Sequence, residues 1–134
     1  MKLFKSIFGK KSLPTEKVIV AQIGEMTKYN RFWSITLNDV DLTFDYSGES
    51  IPNKSIEIWL SIKDQIDLLV EQSLDYLNKN ADAPRLVKEQ FNGITIVPEY
   101  EDEDFRIDFE IEESFTFYTA IYKNKSIIDY DSGD

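Results

Sequence analysis

Alternation of apolar and polar residues constrains the fold of this chain more than any other feature of its sequence. Two runs show it, residues 40–46 and residues 105–111. Their apolar members are Val40, Leu42, Phe44 and Tyr46 in the first run and Phe105, Ile107, Phe109 and Ile111 in the second. Because successive side chains of a β-strand point to opposite faces, each run predicts a strand with one face turned toward a core. The turn residues Asn38 and Asp39 join the first run to an alternating run that ends at Leu37, which predicts a hairpin.

The remaining segments complete a mixed pattern. Residues 18–23, 93–98, 115–122 and 126–130 are rich in β-branched or aromatic side chains and predict further strands. Between about residues 54 and 80 the apolar residues recur at helical spacing, which predicts one long helix, and residues 85–91 favour a short second one. The predicted fold is therefore α+β: an antiparallel sheet of about six strands in the order β-β-β-α-β-β-β, with the long central helix packed on one face.

Charge divides the chain into two parts. Residues 1–17 contain five lysines and one glutamate, whereas residues 18–134 contain ten basic and twenty-four acidic side chains. We interpret residues 1–17 as a basic amphipathic arm and residues 18–134 as a single acidic α+β domain, since 134 residues is about the length of one domain. An acidic body repels phosphate groups and attracts cations or basic proteins, so we expect no nucleic-acid partner.

The absence of cysteine and histidine restricts the chemistry. Disulfides, thiolate nucleophiles, cysteine- or histidine-ligated zinc and Ser-His-Asp catalysis are all excluded. The five glycines are scattered singly, so no glycine-rich phosphate loop is present. Carboxylate chemistry stays open, but no spacing selects a catalytic pair. We therefore expect a non-catalytic protein with no cofactor and no metal.

The N-terminal segment has the character of a membrane-surface contact. Leu3, Phe4, Ile7 and Phe8 fall at helical spacing among lysines, and such a segment can rest on an anionic lipid surface. A frayed terminus, or an arm that packs on its own domain, explains the same residues. No run approaches the roughly 20 apolar residues of a membrane span, and no signal-peptide pattern precedes the domain, so we expect a cytoplasmic protein.

The most concentrated charge lies between residues 99 and 113, where nine carboxylates accompany one basic group, Arg106. Clustered like charge speeds association with an oppositely charged protein, so this stretch predicts a docking surface. The predicted partner-binding residues are Tyr100, Glu101, Asp102, Glu103, Asp104, Glu110, Glu112 and Tyr118. A solvated loop beside a charge-protected edge strand, or a calcium site, are the alternatives, although no EF-hand signature is present.

Several short motifs resemble those of a known group. Gly24-Glu25-Met26-Thr27, Trp33 within a hairpin, Leu42 to Asp45, the helix through Asp75 and Tyr76, and an aromatic C-terminal strand follow one another in this order. This succession resembles an uncharacterised family of small bacterial proteins, classed only as a domain of unknown function. The chain also looks, more loosely, like the immunity proteins of bacterial toxin systems, many of which are small, acidic α+β domains. The resemblance implies no catalytic residue.

These observations predict a non-catalytic binding protein that docks a basic protein partner with its acidic surface. An immunity-type inhibitor is one form that such a protein can take. The alternative is a peripheral membrane adaptor tethered by the N-terminal segment, and a carboxylate-based hydrolase is a third option. Trp33 and Trp59 lie within the alternating and helical patterns, so we expect both in the core.

Overall fold

The computed structural model describes residues 14–133. Its strands are β1 (Pro14–Val20), β2 (Gly24–Tyr29), β3 (Trp33–Leu37), β4 (Val40–Phe44), β5 (Phe91–Ile96), β6 (Phe105–Ile111), β7 (Thr116–Lys123) and β8 (Ser126–Gly133). Its helices are α1 (Asn53–Ile62) and α2 (Ile66–Asn80), and a single 3-10 turn covers Lys88–Gln90. The α+β class is thus confirmed, with eight strands in place of the expected six or so.

All eight strands form one sheet in which their spatial order equals their order along the chain. Neighbouring strands pair antiparallel except β4 and β5, which are parallel. The sheet therefore consists of two antiparallel four-strand meanders joined at its centre. The expectation of a wholly antiparallel sheet was wrong at this junction. Parallel neighbours need a long crossover, and residues 45–90, with both helices, supply it.

One additional strand and two strand extensions form where the side-chain pattern is weak. Chain segment 24–29 has little apolar alternation, yet it pairs with strands on both sides as β2. At the C-terminus, β8 continues to Gly133 through residues expected to form a polar tail. Residues 14–17, assigned from the sequence to the N-terminal arm, belong to β1. In all three places backbone pairing with a neighbour outweighs the weak side-chain pattern.

The predicted long helix is two helices. Lys63, Asp64 and Gln65 separate α1 from α2, and all three side chains are exposed. The last hydrogen bond of α1 runs from the N–H of Lys63 to the carbonyl of Trp59, and the first of α2 runs from the N–H of Leu69 to the carbonyl of Gln65. Neither glycine nor proline marks the break, so helical periodicity alone did not reveal it. The short helix expected at residues 85–91 is reduced to the single 3-10 turn.

The core lies between the helices and one face of the sheet. Its buried strand residues include Leu42, Phe44, Ile94, Ile96, Phe105, Ile107 and Phe109, together with Tyr118, Ala120 and Tyr122. These positions are cross-strand neighbours, so they share one face. Trp33 and Trp59 are 1% and 5% exposed, which confirms their place in the core.

A buried polar contact fixes α2 on the sheet. The hydroxyl of Tyr122 donates to the carbonyl oxygen of Leu69 at 2.9 Å and lies 2.7 Å from the hydroxyl of Ser73. Ser73 also donates to the Leu69 carbonyl, at 2.7 Å. Burial raises the pKa of Tyr122, with an opposing effect from Ser73. Because buried polar groups are costly when unpaired, this contact fixes the position of the helix over β7.

Candidate functional site

The loop between β5 and β6, residues 97–104, carries most of the predicted docking residues. We call it the acidic loop. Its two ends are joined by a hydrogen bond from the N–H of Val97 to the carbonyl of Asp104, at 3.1 Å. The N–H of Tyr100 donates back to Val97 at 3.2 Å, and the N–H of Asp104 donates to the carbonyl of Tyr122 at 2.8 Å. The backbone of the loop is therefore closed at its base and attached to β7.

The Asp104 side chain holds the acidic loop against the turn between β7 and β8. One carboxylate oxygen lies 3.3 Å from Nζ of Lys123, and the other accepts the N–H of Asn124 at 2.9 Å. Lys123 donates in addition to the carbonyl oxygen of Glu101, at 3.0 Å. The Asp104 side chain is only 14% exposed. Its carboxylate is therefore mostly buried and positions the loop.

Glu103 is likewise committed to a contact within the chain. Its two carboxylate oxygens accept hydrogen bonds from Nε and Nη2 of Arg106, at 2.6 and 3.1 Å. Two parallel bonds of this kind are among the stronger polar contacts in proteins, and Glu103 is 8% exposed. Arg106, the one basic residue of the acidic stretch, therefore neutralises one of its carboxylates.

Asp45 lies beside this pair, although the sequence places it far away. Its N–H donates to the carbonyl of Ile96 at 2.9 Å, immediately beyond the parallel pairing of β4 with β5. Burial raises the pKa of Asp45; Arg106 lowers it, and the nearby carboxylates Glu99 and Glu103 raise it further. No sequence signal marks Asp45, because only the parallel junction brings it to the acidic loop.

Four consecutive residues of the acidic loop remain exposed: Glu99, Tyr100, Glu101 and Asp102. We call them the loop tip. Within the described part of the chain none of the three carboxylates forms an ion pair. Tyr100, at 45% exposure, is one of the few large apolar side chains on the described surface. The loop tip thus combines an aromatic ring with three unpaired negative charges on a fixed backbone.

The other predicted docking residues do not join the loop tip. Tyr118 is 8% exposed and belongs to the core, because its side of β7 faces the helices. Glu110 is 4% exposed on β6. Glu112 is exposed but lies beyond the far end of β6, and a strand of seven residues separates it from the acidic loop by about 20 Å. Of the predicted docking residues, Tyr100, Glu101 and Asp102 thus lie together at the loop tip, and Glu112 is exposed well apart from them.

The face of the sheet opposite the helices carries a buried polar row. Asp41, Gly93, Asp108 and Thr119 are consecutive cross-strand neighbours along it. Asp108 accepts hydrogen bonds from Thr119 at 2.6 Å and from Thr95 at 3.2 Å, yet burial dominates and raises its pKa. The alternating pattern had placed Asp108 on an outward face; the structure shows it to be 4% exposed.

Leu3, Phe4, Ile7 and Phe8, the predicted membrane-contact residues, lie outside the described residues. Within residues 14–133, neither helix has the length and apolar character needed to cross a bilayer. Over the same residues no group of three or more acidic side chains is arranged to hold a metal ion.

Comparison with known proteins supplies no assignment: no family model, no curated protein and no solved structure matches this chain. The resemblance to a family of small bacterial proteins, and the looser likeness to immunity proteins, therefore remain predictions.

Proposed function

We propose that this chain is a non-catalytic binding protein that docks a basic protein partner through its loop tip. The observation that carries this proposal is that some carboxylates of the acidic loop are paired within the chain and others are exposed. Glu103 and Asp104 are paired inside the chain, to Arg106 and to the turn after β7. The three carboxylates of the loop tip are left for an outside partner, and they flank Tyr100.

A loop fixed before binding has an energetic advantage. Ordering a flexible side chain or loop at an interface costs roughly 0.5–1.5 kcal/mol for each immobilised side chain. The contacts of Asp104 hold the backbone of the loop tip in the free protein. Part of the ordering cost is therefore incurred when the protein folds and not when it binds. Tyrosine is enriched among residues that dominate interface energetics, which favours Tyr100 as the central contact.

The charges define the partner. Unpaired carboxylates around an aromatic ring match a surface of lysine or arginine side chains surrounding a shallow apolar pocket. Such complementarity raises the association rate most at low ionic strength, because surface charges are screened by salt. An immunity-type inhibitor, which covers a cationic surface of a toxin, is one protein of this kind.

The proposal is tested with a displayed library of random peptides selected on the wild-type protein. We expect the selected peptides to carry lysine or arginine and to bind more weakly as salt increases. A triple variant with Glu99, Glu101 and Asp102 changed to lysine should lower their affinity at least about tenfold.

The matched control changes Glu57, Glu71 and Asp82 to lysine. These exposed acids lie on the helices or just after them, so the net charge is the same as in the loop variant but the loop tip is intact. The control should retain most of the wild-type affinity. Equal losses in the two variants would show that net charge alone attracts the peptides. Peptides that bind the loop variant as well as the wild type would exclude the loop tip as the docking site.

A further inference from the structure

Among residues 14–133 the sheet ends at β8, which pairs there with β7 on one side only. Most of its side chains are exposed, including Ile128 at 51%. An unpaired edge strand exposes backbone N–H and C=O groups that can pair with a strand of another chain. A bulge interrupts β8 at Ile128, since Ile127 faces Tyr122 whereas Asp129 faces Ile121. The regular part of this edge is therefore residues 129–133.

Two aspartates in this regular part bond to the backbone of their own strand. Asp129 accepts the N–H of Tyr130 at 2.8 Å, and Asp131 accepts the N–H of Ser132, also at 2.8 Å. Backbone groups of an antiparallel strand point alternately to its two sides, so the N–H groups of Tyr130 and Ser132 point the same way. Because these two N–H groups bond to side chains, they do not bond to β7, and they lie on the unpaired side of β8.

We propose that Asp129 and Asp131 cap the free edge of β8 and prevent a second copy of this chain from adding its own β8. The second copy is the fitting partner because two β8 edges related by a two-fold axis run antiparallel, and each offers the other the same backbone groups. The caps oppose this pairing by occupying the N–H donors that the new ladder would use. Their negative charges, brought together across the two-fold axis, add repulsion.

The opposite edge of the sheet is protected by other means. β1 contains Pro14, and its register with β2 shifts between Pro14 and Glu16. Proline and an irregular register both disfavour strand addition. Beyond its bulge, β8 has neither a proline nor a shift of register, and the two aspartate caps lie in this regular part.

The test separates the hydrogen-bonded caps from their charge. In a D129A/D131A variant both the acceptors and the charges are lost, whereas in D129N/D131N the side-chain oxygens remain and only the charges are lost. Sedimentation velocity over roughly a hundredfold range of concentration compares these variants with the wild type. An E57A/E71A variant, which loses two exposed helix carboxylates, controls for net charge.

We expect the alanine variant to form dimers, with slowed amide hydrogen exchange at Tyr130 and Ser132. The wild type, the asparagine variant and the helix control should stay monomeric over the same range. A monomeric alanine variant would overturn the proposal. So would dimers of the asparagine variant as strong as those of the alanine variant, since repulsion alone would then protect the edge. Wild-type dimers with protected amides at Tyr130 and Ser132 would also overturn it.

Discussion

Replacing Asp104 with alanine tests whether this carboxylate holds the acidic loop. The change removes the acceptor for the N–H of Asn124 and the ion-pair partner of Lys123. A hydrogen bond to a charged group contributes about 1.5–3 kcal/mol, and a partly exposed ion pair adds at most about 1 kcal/mol. Because Lys123 is 32% exposed and keeps its bond to Glu101, we expect a loss of about 2–3 kcal/mol in the free energy of unfolding.

Urea denaturation measures this loss in the free energy of unfolding, and two further variants show whether it comes from the contacts of Asp104. Asp104→Asn keeps an acceptor for Asn124 but loses the charge, so it should fall between the wild type and the alanine variant. Asp102→Ala removes an exposed carboxylate of the loop tip and should change stability by less than about 0.5 kcal/mol.

Hydrogen exchange then shows whether the effect is local. In the Asp104→Ala variant the amides of residues 99–103 should exchange faster than in the wild type, because the loop has lost its attachment to the turn after β7. If Asp104→Ala and Asp102→Ala are equally stable and protect the loop amides equally, Asp104 does not hold the loop, and the loop tip is not fixed in the free protein by this contact.

Three other predictions concern the buried groups and the N-terminal segment. Tyr122→Phe should lower the free energy of unfolding, measured by urea denaturation, by about 1 kcal/mol. A double-mutant cycle with Ser73→Ala should show coupling, because both hydroxyls bond to the Leu69 carbonyl. Additive effects of the two substitutions would contradict the shared contact. Burial raises the pKa of Asp108 in the folded protein above its value in the unfolded chain. The protonated carboxyl therefore stabilises the fold fully at a pH below the unfolded-state pKa, and this stabilisation is lost as the pH rises through the folded-state pKa. Asp108→Asn should therefore become more stable relative to the wild type as the pH rises from about 4 to 7, and a constant difference would show that Asp108 does not titrate as described. If residues 1–12 form a membrane tether, a chain lacking residues 2–12 should sediment less with anionic vesicles than the full chain, and equal partitioning would rule the tether out.

Elements with a strong local pattern were predictable. The bounds of β6 agree with its alternating run, residues 105–111, and the apolar residues Phe105, Ile107 and Phe109 of that run are buried. Trp33 and Trp59 were assigned to the core from their surroundings in the sequence. These predictions succeed because the period of a strand or helix is expressed within a few residues, so burial on one face leaves a local signature.

The site was less predictable, because pairing depends on distant residues. Glu101, Asp102, Glu103 and Asp104 are alike in the sequence, yet two of them are exposed and two are fixed by Arg106 and by the turn after β7. Asp45 is added to the same region from another strand. Tyr118 was expected on a surface, but its face of β7 packs under the helices.

The sequence by itself determined the α+β class, the acidity and the exclusion of cysteine and histidine chemistry, since these follow from composition and local periodicity. Only the tertiary structure decided that β4 and β5 are parallel and that the long helix divides in two. It also decided which carboxylates face solvent. The physical reason is that strand pairing, desolvation and ion pairing are interactions between segments far apart in the chain, and no local pattern records which segments will meet.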